Sequence, residues 1–275
     1  MKKIKNRKVL TAIICSAILL AAGGCRKTEE ISSRPEDVLP KIVVGGEDYP
    51  PFNYMDVDGT PAGIDVDMAT EAFKRMGYQP EFAQINWEEK KSLLESGKID
   101  CIWCSFSMNG REGDYNWAGP YMLSRQVVAV NPDSEISALS ELEGKTIAIQ
   151  ATTKPEEIFL NQKQEGIPKV GKIFSLQNRE LIYPMLSEGY VDAVAAHEIS
   201  IRQYMRDYEV EYRILEEPLQ NVGLGVAFAR EDTRGLDREL NHTLAEMKKD
   251  GTLSQIIGKY LENPDSYLEV GMDEN

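Results

Sequence analysis

Residues 41–77 read KIVVGGEDYPPFNYMDVDGTPAGIDVDMATEAFKRMG. The run Lys41–Gly46 is short, apolar and closed by glycines, which predicts a buried strand. After a polar loop, apolar side chains recur at the spacing of one helix face. We expect Asp65 to cap the start of this helix and Gly77 to follow its end. The residues of the apolar face are Val66, Ala69, Phe73 and Met76.

The same alternation of strand and helix continues along the chain. It indicates an α/β fold with mostly parallel sheets, in which ligands bind beyond the carboxyl ends of the strands. Helices are predicted at Trp87–Ser96, at about 154–165, after Asn178 and at about 198–207. A long helix from Leu236 is predicted to stop near Gly251, and a shorter helix to run from there to about Leu261. The further predicted strands are Gln79–Ile85, Ile99–Phe106, Arg125–Asn131, Lys145–Gln150, Val170–Leu176, Val191–His197 and Val222–Arg230.

Composition narrows the class of protein. The chain has 275 residues, 31 basic and 45 acidic, and a formal net charge of −14, so it lacks the basic footprint of a nucleic-acid-binding protein. Its length predicts about two domains. The two histidines, His197 and His242, cannot form a multi-histidine metal site. No nucleophile motif accompanies either histidine. Their number alone does not exclude a Ser-His-Asp triad. We predict no metal, no cofactor and no catalytic residue.

The first residues carry a targeting signal. A basic start is followed by an apolar run too short for a comfortable membrane span, and then by Ala22-Gly23-Gly24-Cys25. We expect residues 1–24 to be a lipoprotein signal peptide and Cys25 to carry acyl chains such as palmitate. The alternative is an ordinary secretory signal with an incidental Cys25. Residues 25–39 are predicted to be a flexible tether that holds the folded part off an extracytoplasmic membrane surface.

Two cysteines, Cys101 and Cys104, form a Cys-Ile-Trp-Cys sequence. This spacing occurs in redox motifs and zinc half-sites, but there is no second pair. In a strand, residues three apart point to opposite faces, so we expect two unpaired thiols. Core packing is the first interpretation, and a redox role the alternative.

Polar and aromatic residues follow several predicted strands. Tyr49 follows the first strand, Arg111 follows Ile99–Phe106, and Ala151-Thr152-Thr153-Lys154 stands directly before a helix. A guanidinium binds a carboxylate in bidentate fashion, and hydroxyls and helix-start amides donate to the same anion. These residues suit a small ligand that bears a carboxylate.

The order of these segments resembles the polar amino-acid solute-binding proteins of ABC importers, family 3 of the periplasmic-type binding proteins. The similarity covers nearly all of residues 40–262. The segments that carry it include DYPPF (48–52), PAGIDVDMATEAFKRMG (61–77), SFSMNGRE (105–112), GYVDAVAAHE (189–198) and AEMKKDGTLSQIIGKYLEN (245–263).

This resemblance implies a two-lobe, type II periplasmic-binding-protein-like fold, each lobe a mostly parallel sheet flanked by helices. Lobe 1 would comprise 40–129 plus 228–265, and lobe 2 would comprise 130–227. Two crossing strands would form the hinge near Val128–Asn131 and Gly225–Ala229. Closure would be a shift of population toward the ligand-bound state.

The resemblance also implies ligand-binding roles for individual residues. Arg111 would hold the ligand α-carboxylate, and Tyr49 and Trp87 would flank the ligand side chain. For Arg111 the alternative is a surface arginine, and for the aromatics it is core packing. The positions that would offer backbone and hydroxyl contacts are Cys104, Ser105 and Ser107.

The second lobe would complete the site. Thr152 and Thr153 would donate to the carboxylate, and helix capping is their alternative role. His197 stands where the family has an aspartate that accepts from the ligand ammonium; a neutral imidazole lacks that charge. Glu198 is expected to supply it, and His197 is otherwise a buried structural residue. This departure leaves room for a ligand other than a standard α-amino acid.

The resemblance predicts a monomeric, extracytoplasmic, lipid-anchored binding protein that delivers a polar amino acid to an ABC permease with its cytoplasmic ATPase. It predicts no enzyme activity and no nucleic-acid partner. A prephenate or arogenate dehydratase on the same fold is one alternative, because a fold does not determine a function. A ligand-sensing module is another.

Overall fold

The computed structural model describes residues 39–162 and 166–268. The predicted signal peptide 1–24, the predicted lipidation site Cys25 and nearly all of the predicted tether lie outside these residues. Within the described ranges, no helix is long and apolar enough to cross a membrane.

Strands and helices alternate along most of the described chain, in the order that the sequence predicts. The strands are β1 (Lys41–Gly46), β2 (Tyr54–Met55), β3 (Pro61–Ala62), β4 (Gln79–Gln84), β5 (Cys101–Ser107), β6 (Asn116–Val130), β7 (Thr146–Gln150), β8 (Lys172–Leu176), β9 (Ala193–His197), β10 (Arg213–Ile214) and β11 (Gln220–Phe228). The helices are α1 (Ile64–Arg75), α2 (Lys90–Glu95), α3 (Lys154–Asn161), α4 (Ile182–Ser187), α5 (Glu198–Asp207), α6 (Leu236–Lys249) and α7 (Thr252–Ile257).

The main sheet has two halves joined by β6. Its order is β4-β1-β5-β11-β6-β9-β7-β8, with β10 also paired to β6. β6 pairs with β11 from Asn116 to Gln126 and with β9 from Gln126 to Val130, so its partner changes at Gln126. We call the strands on the β5 side the first half and those on the β7 side the second half. The lobe boundaries and the hinge at Val128–Asn131 and Gly225–Ala229 stay predictions.

Hydrophobic packing on both faces of the sheet explains why the inner strands β5, β7 and β9 are mostly apolar and buried. In the second half, Val128 and Ile147 belong to one buried cluster, whereas Val127 and Ala148 belong to another. Alternate residues therefore pack on opposite faces, each covered by helices, as strands of a parallel sheet require. The first half has one large cluster, with Trp103 fully buried in it.

The prediction that Asp65 caps α1 is wrong. Gly63 occupies the N-cap position, and Asp65 lies in the first turn of the helix. Its carboxylate is buried and accepts hydrogen bonds from the Ser105 amide at 2.6 Å and from the Tyr121 hydroxyl at 2.8 Å. The Asp65 carboxyl group therefore bonds to the backbone of β5. A rule for helix capping, which considers only neighbouring residues, does not predict such a tertiary contact.

β6 is also much longer than the predicted strand Arg125–Asn131. Gly119 and Pro120 both lie within this strand. The register between β6 and β11 shifts at this point, between Leu224 and Val226. A proline without an amide hydrogen is tolerated at such a bulge.

The prediction for the two cysteines of the folded part is confirmed. Cys101 and Cys104 are both buried and both unpaired. All seven residues of β5 are buried, so the two thiols belong to the packed interior of the first half.

A candidate ligand cavity between the halves of the sheet

One cavity lies where the carboxyl ends of β1, β5, β7 and β9 meet, which is where ligands bind in this class of fold. It holds about 410 Å³ of space, its open mouth included. Both halves of the sheet contribute to its lining. Nine of the ten residues predicted for the ligand site line it: Tyr49, Trp87, Cys104, Ser105, Ser107, Arg111, Thr152, Thr153 and His197.

Arg111 enters the cavity from the turn after β5. Its guanidinium lies 5.2 Å from the centre of the Phe106 ring and donates to the Ser107 carbonyl at 3.2 Å. Glu157 of the second half approaches it at 3.4 Å. The side chain is 14% exposed, and burial lowers its pKa from the ordinary value of 12.5. The result is a positioned cation with a second-half carboxylate beside it.

Two lining residues, Ser105 and Thr152, adopt left-handed backbone conformations, with φ of 47° and 58°. Such conformations are costly for residues other than glycine and cluster at functional sites. A carboxylate holds each amide: Asp65 accepts from Ser105 at 2.6 Å, and Glu156 accepts from Thr152 at 2.6 Å. The backbone of the lining is therefore held in shape by the carboxyl groups of Asp65 and Glu156.

The site includes an arginine that the sequence analysis missed. Arg179 follows β8, lines the cavity and lies 3.2 Å above the centre of the Tyr49 ring. It is 8% exposed and donates to Glu47 at 2.5 Å. Gln150 donates to the other oxygen of Glu47, also at 2.5 Å. Applying the strand-end rule to β8 would have found Arg179, because it stands three residues beyond that strand.

His197 is buried at the end of β9, and both of its ring nitrogens have protein partners. Nδ1 lies 2.8 Å from the Ser124 hydroxyl, and Nε2 lies 2.8 Å from the Gln126 amide nitrogen. Because that amide donates to Nε2, Nδ1 carries the proton and donates to Ser124. Burial and the nearby charge of Arg179 lower the pKa of His197 from 6.5 to about 3. A neutral imidazole with both nitrogens bonded is not available to accept from a ligand.

Lys90, a second residue that the sequence analysis missed, connects the halves. It lies 4.6 Å from the centre of the Trp87 ring and donates to the Thr152 hydroxyl at 2.8 Å and to the Thr152 carbonyl at 3.3 Å. Burial and the charge of Arg111 lower the pKa of Lys90 from 10.5 to about 8. This buried lysine ties the wall of the first half to the loop before α3.

The remaining predicted residues differ in what they offer. The Cys104 thiol donates to the Glu47 carbonyl at 3.5 Å, and Ser107 accepts from Gln126 at 3.4 Å. Thr153 stands at the N-cap of α3, but its hydroxyl donates to the Gln150 carbonyl at 2.6 Å instead of capping.

Glu198 is the one predicted site residue that the described lining does not include. Its carboxylate lies 2.7 Å from Arg202 and 3.4 Å from Arg125, so it is engaged by neighbouring guanidinium groups. Its role as a partner of the ligand ammonium stays a prediction, and its observed contacts give that role no support.

Buried polar atoms without partners are concentrated around this cavity. In the described part of the chain, eight buried side-chain nitrogen or oxygen atoms lack a hydrogen-bond partner, and five of them belong to lining residues. Buried polar atoms are normally satisfied, so such a concentration marks a place where a polar ligand completes the bonding. The five atoms are Trp87 Nε1, Ser105 Oγ, Gln126 Oε1, Gln150 Oε1 and Arg179 Nε.

A divided α/β sheet with a polar cavity between its halves defines a protein of the periplasmic-binding-protein class. The family model for bacterial extracellular solute-binding proteins, family 3, matches residues 42–263, and the chain belongs to that family. The resemblance drawn from the sequence and the predicted fold class are both confirmed.

Individual relatives agree with this assignment. The histidine-binding periplasmic protein of Salmonella typhimurium is 33% identical over 237 residues, which cover 81% of this chain and 88% of the relative. The L-cystine-binding protein TcyA of Bacillus subtilis is 29% identical over 225 residues, 80% of each chain. Among solved structures, an ancestral arginine-binding protein bound to arginine has a TM-score of 0.74 and 26% identity, and the match covers 82% of this chain and 99% of that one.

Proposed function

We propose that this chain is the extracytoplasmic substrate-binding component of an ABC importer. It captures a polar amino acid or a close analogue in the cavity between the two halves. It then delivers this cargo to a membrane permease that works with a cytoplasmic ATPase. The observation that carries the proposal is the set of five unpartnered buried polar atoms around one cavity. Membership of the family and the names of the amino-acid-binding relatives support it.

The contacts between the halves suggest how capture and release work. Lys90 reaches Thr152, and Glu47 reaches Arg179, so charged and polar groups of one half bond to the other in the observed arrangement. A bound ligand adds contacts to both halves and stabilises this closed arrangement over an open one. The site binds and releases its ligand, and we assign it no catalytic step.

The ligand role of Arg111 is tested with the purified protein and a panel of amino acids in a thermal-shift assay. A ligand that binds only the folded state raises the melting temperature. We expect Arg111→Ala to abolish the shift, because the ligand then loses the guanidinium proposed to hold its α-carboxylate. Arg202→Ala is the matched control, since Arg202 is an exposed arginine on α5 paired with Glu198. An Arg111→Ala protein that still responds like the control would exclude Arg111 from the site.

We further propose that Cys25 is lipidated and anchors the monomeric protein to the outer face of the cell membrane. The test is fractionation of cells that express the full chain. We expect the wild type in the membrane fraction with an acyl mass increment on Cys25, and Cys25→Ser in the soluble extracytoplasmic fraction. Equal partitioning of both proteins would contradict the anchor.

A further inference from the structure

The cavity is lined by cations without a lining carboxylate. Arg111, Lys154 and Arg179 all contribute to its wall, whereas no Asp or Glu does so within the described ranges. Lys154 and Arg179 are 4% and 8% exposed at their side chains, so water screens them weakly. A ligand in this cavity therefore meets positive charge from both halves.

The carboxylates behind the lining are already engaged. Glu157 lies 2.7 Å from Lys154 and 3.4 Å from Arg111. Glu47 accepts from Arg179 and from Gln150, both at 2.5 Å. They reduce the local positive charge, and their oxygens face protein donors.

A ligand ammonium group finds no charged partner at the expected position. The ring nitrogens of His197 are both bonded to protein groups, and the Glu198 carboxylate is held by arginines. The unpartnered acceptors of the lining include Ser105 Oγ and Gln126 Oε1, which are neutral. Neutral oxygens accept from an ammonium group, but a carboxylate would bind it more strongly.

Arg179 is placed to bind a second anionic group. Its Nε is buried and has no partner in the described part of the chain, and one face of its guanidinium covers Tyr49. Arg111 reaches the same cavity from the opposite half. Two guanidinium groups that approach a ligand from different halves suit a molecule with two carboxylates, each bound in a planar, bidentate manner.

We propose that the preferred cargo is a small dicarboxylate, with one carboxylate on Arg111 and the other on Arg179, and that its ammonium group is dispensable. This inference rests on the proposed function and names the chemical class of its ligand. Acidic amino acids and the corresponding dicarboxylates without nitrogen share this chemistry. Neutral and cationic amino acids do not.

Isothermal titration of the purified full chain separates these classes. The probes are L-glutamate, glutarate, L-glutamine and L-arginine. Aspartate and succinate are added as dicarboxylates whose carbon chain is one methylene shorter. We expect the dicarboxylates to bind at least about thirtyfold more tightly than glutamine and arginine. Glutamine and arginine each have only one carboxylate and so offer no second anion to Arg179. We expect glutamate and glutarate, or aspartate and succinate, to agree within about tenfold, because the ammonium meets neutral oxygens only.

Variants assign the preference to residues. Arg179→Gln should bring the affinity for the dicarboxylate down to that for glutamine while glutamine binding changes less than about threefold. The double variant Glu47→Gln/Arg179→Gln removes both members of the ion pair and replaces the single variant if that protein does not fold. We expect it to lose the same affinity for the dicarboxylate. His197→Asp should make glutamate bind about tenfold or more tightly than glutarate, because it adds a carboxylate for the ammonium group that only glutamate carries. Arg202→Gln is the control for loss of an arginine outside the cavity.

The outcomes distinguish the inference from the proposed function. If a neutral or cationic amino acid binds most tightly, and Arg111→Ala abolishes that binding, the dicarboxylate inference is overturned and the proposed function stands. If Arg179→Gln leaves the dicarboxylate preference intact, the inference is likewise overturned. If no amino acid or dicarboxylate binds to the wild type, the proposed function falls, and the inference with it.

Discussion

Replacing Asp65 by Asn tests whether a buried carboxyl group shapes the cavity wall. Asp65 is 1% exposed, and it holds the amide of Ser105, a left-handed residue of the lining. Burial raises the pKa of Asp65 from 3.8 to about 7, although the hydrogen bonds from Tyr121 and Ser105 act in the opposite direction. Asparagine preserves the bonding, because its oxygen accepts from Ser105 and its amide group donates to the Tyr121 oxygen, but it cannot ionise.

The sign of the pH effect follows from where the proton is held. Between about pH 4 and pH 7 the folded protein keeps the proton on Asp65, whereas the unfolded chain releases it. Unfolding then releases a proton, so the free energy of unfolding falls as the pH rises through this window. A pKa raised from 3.8 to about 7 corresponds to a total loss on the order of 4 kcal/mol, of which roughly 3 kcal/mol falls between pH 5 and pH 8.

The assay is urea unfolding at pH 5, 6, 7 and 8, followed by tryptophan fluorescence. We expect the wild type to lose about 3 kcal/mol relative to Asp65→Asn between pH 5 and pH 8. Asp67→Asn is the control, because Asp67 lies on the same helix but is partly exposed and paired with Lys259. If the difference between wild type and Asp65→Asn stays constant over this range, the carboxyl group does not titrate as its burial requires.

Three further predictions concern closure, thiol chemistry and the core. Lys90→Met removes the bond to Thr152 across the halves, so ligand affinity measured by titration should fall about tenfold; an unchanged Kd would show that the bond does not favour closure. Burial raises the pKa of the Cys101 and Cys104 thiols, so both should resist iodoacetamide at pH 8 in the native protein and react in urea, as read by mass spectrometry; alkylation at equal rates would contradict this. Phe73→Ala should lower the free energy of unfolding in urea by about 3–5 kcal/mol, because the Phe73 side chain is fully buried. A smaller loss would mean that the surrounding side chains collapse into the space left by the ring.

The sequence predicts the alternation of elements well because the relevant forces are local. The period of apolar residues on α1, the glycines that end β1 and the continuous apolar run of β5 each act over a few residues. Errors arise where a distant contact overrides a local rule. Aspartate is a favoured N-cap residue, yet Asp65 accepts a hydrogen bond from the amide of Ser105, 40 positions away in the sequence. β6 begins at Asn116 instead of the predicted Arg125, because it pairs with β11 across a register shift opposite Gly119-Pro120.

In the candidate site, too, features that follow from local rules could be predicted and features that depend on distant contacts could not. The residues at the ends of β1, β5 and β7 could be predicted, because parallel strands bring their carboxyl ends to one edge. Lys90 could not, since a lysine on a short helix is usually exposed, whereas here it is buried against Trp87 and bonded to Thr152 of the other half. His197 could be placed at the cavity but not assigned its hydrogen bonds, which depend on Ser124 and Gln126 of β6.

Arg179 has one feature that the sequence predicts and one that it does not. Its burial also limits which ligands the cavity can bind. Its position beyond β8 follows from the strand-end rule, but its place over Tyr49 and beside Glu47 requires the two halves to meet. A guanidinium in that position is stabilised by a carboxylate on one side and a ring face on the other, and its Nε still lacks a partner. Because leaving a charged donor unpaired is costly, a ligand that supplies an anion there gains more affinity than one that fills the same space with neutral or positive groups.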